Sequence, residues 1–268
     1  MPPRIQSPSS INTYRQCPRK YFYQYIKCLS AKPNIHLVRG KVVHSVLENF
    51  FKVCIANIHQ SNYEFELKTL LIDMFRQEWE QCSGEFDAMK LGVHDRLFYF
   101  NETKKMLENW FNGFNNKLKE CMATMSLVDS FAYLTPKREI QYVSPVHKVQ
   151  GFIDAVYEWA DGVHILDYKT SSKDEISPEY RLQLGIYALL YHEKHSVRPA
   201  SVGINFLKFG EKFLEVDDLL IEEAKRACVE IHERTISDDK CEYPKQASAL
   251  CKWSTGQCDF YEHCIDDD

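Results

Sequence analysis

Apolar positions recur at helical spacing in the first half of this chain and gather into short β-branched and aromatic runs, interleaved with helices, in the second. In "GKVVHSVLENFFKVCIANI" the residues Val43, Val46, Leu47, Phe50 and Phe51 fall on one helical face. "YEFELKTLLIDMFRQEWEQC" and "RLFYFNETKKMLENWFNGFNNKL" predict two further amphipathic helices. Near the start, "SPSSINTYRQCPRKYFYQYI" offers capping serines ahead of apolar residues at helical spacing.

The texture changes near residue 136. "KREIQYVS", "HKVQGFIDAVYEWA" and "VHILDYKT" are short and rich in β-branched and aromatic residues, and "ADG" between the last two predicts a tight hairpin turn. "SPEYRLQLGIYALLYHEK" follows as a helix with Ser177 at its cap and Pro178 in its first position. A strand "ASVGINFLKF", a return strand "KFLEVD" and a helix "LLIEEAKRACVEIHERT" complete the regular pattern. The order predicts a single mixed α/β domain. Residues 1–51 would be N-terminal helices, 52–135 a helical insertion, 136–236 the core and 237–268 a cysteine-rich end.

The 268 residues, 44% hydrophobic and 26% charged, suffice for one substantial core. With no apolar run long enough to span a membrane and no apolar signal region, the expectation is a soluble intracellular, cytoplasmic protein without a membrane partner. A net charge of -5 argues against indiscriminate coating of nucleic acid and leaves a local basic groove open. Ten cysteines in a reducing compartment read mostly as small buried hydrophobes rather than disulfides. The exceptions are those spaced like metal ligands: "CKWSTGQCDFYEHC" holds Cys251, Cys258 and Cys264, one thiolate short of a closed four-ligand site.

The charged end of "HILDYKTSS" is the chief chemical signal. Asp167 and Lys169, two apart in a strand, share a face, while Tyr168 points to the other. The "ADG" turn would lay Asp154 alongside them. Two carboxylates suit Mg²⁺ or Mn²⁺, and a lysine can orient water or stabilise charge on a phosphate. Taken alone, a D-x-K is more often a solvated ion pair. Gln183 and Tyr187, four apart, share one helical face, where Tyr187 could equally be a core aromatic. His44, with Glu48 one turn later, sits on a mostly apolar helical face, an ordinary setting for a packed histidine. Glu139 lies in a strand, where a glutamate is ordinarily solvated.

Taken together, separated segments resemble the RecB-type branch of the PD-(D/E)XK nucleases, in particular its iron–sulfur members related to the CRISPR adaptation exonuclease and to AddB. "GKVVHSVLENF" resembles the helix with the metal-binding histidine, here His44. "EIQYVSPVHKVQGFIDAVYEW" resembles the strand pair carrying Glu139 and the G-x-x-D that ends in Asp154. "ILDYKTSS" is similar to the D-x-K motif, and "YRLQLGIYALL" to the Q-x-x-x-Y helix, placing Gln183 and Tyr187. "SSINTYRQCPRKYFYQYI" resembles the segment with the first cluster cysteine, Cys17.

The resemblance implies a restriction-endonuclease-like core with a C-terminal iron–sulfur segment, and metal-dependent hydrolysis of DNA phosphodiesters. His44, Asp154, Asp167 and the Tyr168 carbonyl would hold Mg²⁺ or Mn²⁺. Lys169, Asp167, Asp154, Gln183, Tyr187 and Glu139 would form the catalytic set. Cys17 with Cys251, Cys258 and Cys264 would hold a [4Fe–4S] cluster, zinc being the alternative. The six residues between Cys251 and Cys258 exceed the family's usual spacing, which leaves Cys241 as a substitute.

Arg15, Arg19, Lys20 and Lys27, interleaved with Tyr21, Phe22, Tyr23 and Tyr25, combine charges for phosphates with rings for bases. Arg19, Lys20 and Tyr187 are the expected DNA contacts, with Phe22 packed inside. The expectation is a single-strand DNA exonuclease in repair, recombination, replication or CRISPR adaptation, as a homo-oligomer or with a protein of those pathways. The alternatives are a structure-specific endonuclease and a non-catalytic DNA-binding scaffold.

Overall fold

A side-chain cap starts five of the ten α-helices among the described residues. In the computed structural model, which describes residues 4–253 and 256–266, α1 (Pro8–Gln16) begins at a capping box formed by Ser7 and Ser10. Cys17 then interrupts the helical run. It is extended, with φ −163°, as residues before proline tend to be, and α2 (Pro18–Tyr21) restarts at Pro18. The N-terminal stretch is thus two helices, the second running into a π-helical turn at Phe22–Ile26. Asn34 caps α3 (Ile35–Phe50), whose side chain accepts from the Leu37 N–H.

The helical half continues with α4 (Tyr63–Gln81), α5 (Ser83–Ala88), α6 (Val93–Cys121) and α7 (Leu127–Leu134). A five-stranded sheet follows, in the order β1 (Lys137–Ser144), β2 (Val149–Trp159), β3 (Gly162–Lys169), β4 (Ser201–Phe206) and β5 (Gly210–Glu215). All neighbours are antiparallel except β3 and β4, which are joined by the crossover helix α8 (Pro178–His195). Ser177 caps α8 and Pro178 opens it, as the sequence predicts. Helix α9 (Asp218–Arg234) packs beside α8. The end carries the short strands β6 (Lys252–Trp253) and β7 (Gly256–Gln257) and helix α10 (Tyr261–Ile265).

Both faces of the sheet are covered. Ile165 belongs to a core shared with α8 and α9. Its neighbours Leu166 and Tyr168 belong to a second core built by α3, α4, α6 and α7, in which Phe50, Phe111 and Phe131 meet. Residues 52–135 therefore contribute a full hydrophobic layer to the sheet. No helix among the described residues is long and apolar enough to cross a membrane.

Candidate active site

The site sits where the sheet loses its regularity. Pairing of β2 with β3 reaches Ala155 opposite Leu166, and Asp154 lies just beyond it. Its Oδ2 accepts the Tyr168 N–H at 2.8 Å, taking the place a ladder carbonyl would fill. On β1 the residue between the pairs Arg138–Ala155 and Ile140–Ile153 is Glu139, whose φ of 47° is left-handed. Such backbone is unfavourable for a residue with a Cβ and is concentrated at functional sites. Alternation also breaks here, since Ile153 and Val156 share one core while Ala155 packs in the other.

His44 projects from α3 into this break. Its Nδ1 is 3.3 Å from Asp154 Oδ1 and 3.7 Å from Glu139 Oε1. One donor atom from each of His44, Glu139 and Asp154 lies within 4.8 Å of the others. Two carboxylates and an imidazole at that spacing fit a hard divalent cation. Burial works against charge on the imidazole, but its hydrogen bonds to Asp154 and Glu139 outweigh that and hold His44 up to about 10.

Asp167 and Lys169 form a second group in the same cleft. Asp167 is 1% exposed, with Oδ2 2.6 Å from Lys169 Nζ. Gln183 Nε2 donates to Asp167 Oδ1 at 2.8 Å and lies 2.7 Å from Tyr187 Oη. Burial pushes Asp167 up to about 6, with Lys169 opposing and Asp154 adding to the shift. Burial disfavours charge on Lys169, yet the adjacent Asp167 and Asp154 carry its pKa above the ordinary value.

Gly151 makes room for this arrangement, because a Cβ there would lie 2.9 Å from the Tyr187 ring. Gly151→Ala is expected to lower stability by about 1–3 kcal/mol through overpacking. The check is its urea midpoint against that of Gly113→Ala, where an added Cβ meets nothing within 4 Å.

His44, Asp154, Asp167, Lys169, Gln183 and Tyr187 thus line one open cleft of about 1040 Å³. Glu139, the residue whose sequence context is least distinctive, stands in the three-donor group, whereas Asp167 is held by Lys169 and Gln183. At Tyr168 the contact present is its N–H to Asp154. Sequence reasoning missed Arg39. It is 3% exposed, ion-paired to Glu102 on α6, and its Nη2 donates to the Thr170 carbonyl just past Lys169 at 3.4 Å. Lys208 completes the group by binding the other Glu102 oxygen. The available signal was an arginine at position 39 in register with the apolar positions 43, 46 and 50.

The cysteines gather at a neighbouring cavity. Cys17, Cys251, Cys258 and Cys264 line it together; Cys241 is exposed and does not. Burial raises the thiol pKa of Cys258 and Cys264. Gln16, Gln246, Ser248 and Leu250 line both this cavity and the cleft.

Arg19, expected at DNA, is 8% exposed instead. Its Nε donates to the Tyr243 carbonyl at 2.8 Å and its Nη2 to the Lys240 carbonyl at 3.4 Å, so it ties α2 to the C-terminal segment. Tyr21, Phe22 and Tyr23 are likewise buried, while Lys20 donates to Gln16 on the surface.

The site thus stands on a five-stranded mixed sheet with helices on both faces and carboxylates gathered at a strand break. Residues 6–264 match the model of the PD-(D/E)XK nuclease superfamily, and the chain belongs to that family. It is 24% identical over 227 residues to "Gene 69 protein" of Mycobacterium phage L5, covering 76% of each sequence. Its fold is similar to the crystal structure of a "Putative exonuclease" from Eubacterium rectale. That match has a TM-score of 0.51 and 11% identity, and covers 97% of this chain and 88% of the other.

Proposed function

We propose that this chain is a divalent-metal-dependent exonuclease that hydrolyses phosphodiesters of single-stranded DNA. The observation that carries the reading is the three-donor group of His44, Glu139 and Asp154 beside the buried Asp167–Lys169 pair in an open cleft. His44, Glu139 and Asp154 would hold Mg²⁺ or Mn²⁺, with Asp167 and the Tyr168 carbonyl completing the site. When bound, such an ion lowers the pKa of water and neutralises charge on a phosphoryl oxygen.

The remaining roles belong to side chains. Lys169 keeps its proton against burial because Asp167 stands beside it, and it directs that charge toward the phosphate or the attacking water. Gln183 fixes Asp167 through Oδ1 and braces Tyr187, leaving Asp167 Oδ2 to the lysine. Arg39 holds the backbone at Thr170 and so positions the end of the strand that presents Lys169.

Cys17, Cys251, Cys258 and Cys264, which line one cavity, would supply the four thiolates of a [4Fe–4S] cluster or of zinc. Such a centre would tie the N-terminal helices to the C-terminal segment. Absorption in the visible thiolate-to-iron region with an iron count identifies the cluster; a colourless protein with stoichiometric zinc identifies the alternative.

Metal binding should be strongly pH-dependent. Without metal His44 keeps its proton past neutrality, so a binding ion must displace it. Apparent Mn²⁺ affinity is expected to rise about tenfold per pH unit between 6.5 and 8.5, with about one proton released per ion. Below about 6 Asp167 also takes up a proton and Lys169 loses its counter-charge. Calorimetry in buffers of different ionisation enthalpy measures the proton release.

The test of function uses single strands and duplexes labelled at either end, with Mn²⁺, Mg²⁺ or EDTA. Stepwise loss of terminal nucleotides from single strands, abolished by EDTA, is expected. Discrete internal fragments would replace the reading by an endonuclease, and no cleavage of any substrate would overturn it.

A further inference from the structure

The cleft holds few cations for a nucleic-acid site. Among the described residues lining it, the lysines and arginines are Arg15 and Lys169. The wall contributed by α1 carries Arg15 beside the uncharged Ser9, Asn12, Thr13 and Gln16. Binding by phosphate neutralisation grows with each cation engaged, so Arg15, Lys169 and a protonated His44 supply little affinity beside Asp154 and Asp167. The remaining source for a single strand is stacking of bases on rings.

One ring is placed for it. Phe152 lines the cleft on β2, two residues before Asp154 and so about 6.6 Å along the strand. It is 53% exposed, whereas Ile153 and Asp154 beside it are buried. Its cross-strand partner is Gln141, whose amide donates to Gln150 at 3.1 Å, and Gln150 also lines the cleft. A flat apolar face bordered by two amides suits a nucleobase: the ring meets its face and the amides its edge. Of the tyrosines lining the cleft, Tyr180 already carries Lys169 Nζ 5.6 Å from its centroid, and Tyr187 is buried with its hydroxyl held by Gln183.

We infer that Phe152 is a stacking shelf for an unpaired nucleobase adjoining the phosphodiester held at His44, Glu139 and Asp154. This rests on the nuclease reading above. The base must be unpaired because the flanking amides engage the edge that a complementary base would cover, and the ring the face that a stacked neighbour would cover.

The test compares wild type with Phe152→Ala, Phe152→Leu and Phe152→Trp. Because the ring is largely exposed, each variant should keep the wild-type circular dichroism and melting temperature. Cleavage of a single strand is expected to fall about 5- to 150-fold in kcat/KM for Ala and Leu, and to recover in Trp. Substrates carrying an abasic residue at each position near the cut provide the partner perturbation. At one position the wild type should lose the same factor, and Phe152→Ala should lose nothing more.

Binding is read separately by quenching of 2-aminopurine at that position in EDTA, without turnover. Quenching present in wild type and lost in Phe152→Ala supports the shelf even if no cleavage is found, a result that would overturn only the nuclease reading. Unchanged quenching and kcat/KM in Phe152→Ala would overturn the shelf. So would a defect that persists undiminished on every abasic strand, or an equal Phe152 dependence on blunt duplex.

Discussion

Lys169→Ala is expected to abolish metal-dependent cleavage of single-stranded DNA while leaving the fold intact. The ammonium is fixed at the centre by a buried carboxylate, with Nζ 2.6 Å from Asp167 Oδ2. Removing a preorganised group aimed at developing charge typically costs a factor of about 10²–10³ in rate, and more where the group also orients water. The fold should tolerate the change for two reasons. The side chain ends in the cleft rather than in a core cluster. Asp167, already pushed up to about 6, can take up a proton once its partner is gone, avoiding an unpaired buried charge. The measurement is end-labelled single-strand degradation in Mn²⁺, beside thermal melts of both proteins. Undiminished activity in the variant would remove Lys169 from the mechanism. A collapsed melting temperature would show that the pair is structural, and Lys169→Met, which keeps most of the volume, then separates charge from packing.

Cys258→Ser should produce the largest loss of stability. Cys258 lines the cavity it shares with Cys17, Cys251 and Cys264, so the centre proposed there would bridge regions far apart in the chain. In a chain-entropy picture, closing so long a loop is worth on the order of 5 kcal/mol. That is a large part of the ~5–15 kcal/mol that holds a typical domain together. The variant is expected to lose its bound metal and melt well below wild type when both are purified without oxygen, whereas Cys54→Ser, at an exposed position, should match wild type. Equal melting temperatures and metal content in Cys258→Ser and wild type would show that these thiols are not ligands.

Much of the sheet could be read from sequence because its signals are local. Short runs rich in β-branched and aromatic residues identified β1 to β3, "ADG" the hairpin, and Ser177–Pro178 the start of α8. The D-x-K pair faces the cleft as strand geometry requires. What could not be read depends on tertiary contacts. A left-handed glutamate within a strand has no sequence signature, so Glu139 was visible only through family likeness. Arg19 looked like a phosphate contact because local spacing cannot show that the C-terminal segment returns to cover it. The helices of residues 52–135 were legible one by one, but their assembly into a layer on the sheet was not.

The shared wall between the cysteine cavity and the cleft bears on when the protein can act. One side of the cleft comes from residues 7–16 and another from Gln246, Ser248 and Leu250. Tyr23 and His263, joined by a hydrogen bond at 3.1 Å, are 240 positions apart. A ribosome-bound chain that has already made its lysine and carboxylates still has an open-sided groove. The groove is therefore walled only when residues well downstream of the lysine and carboxylates fold back against the N-terminal helices.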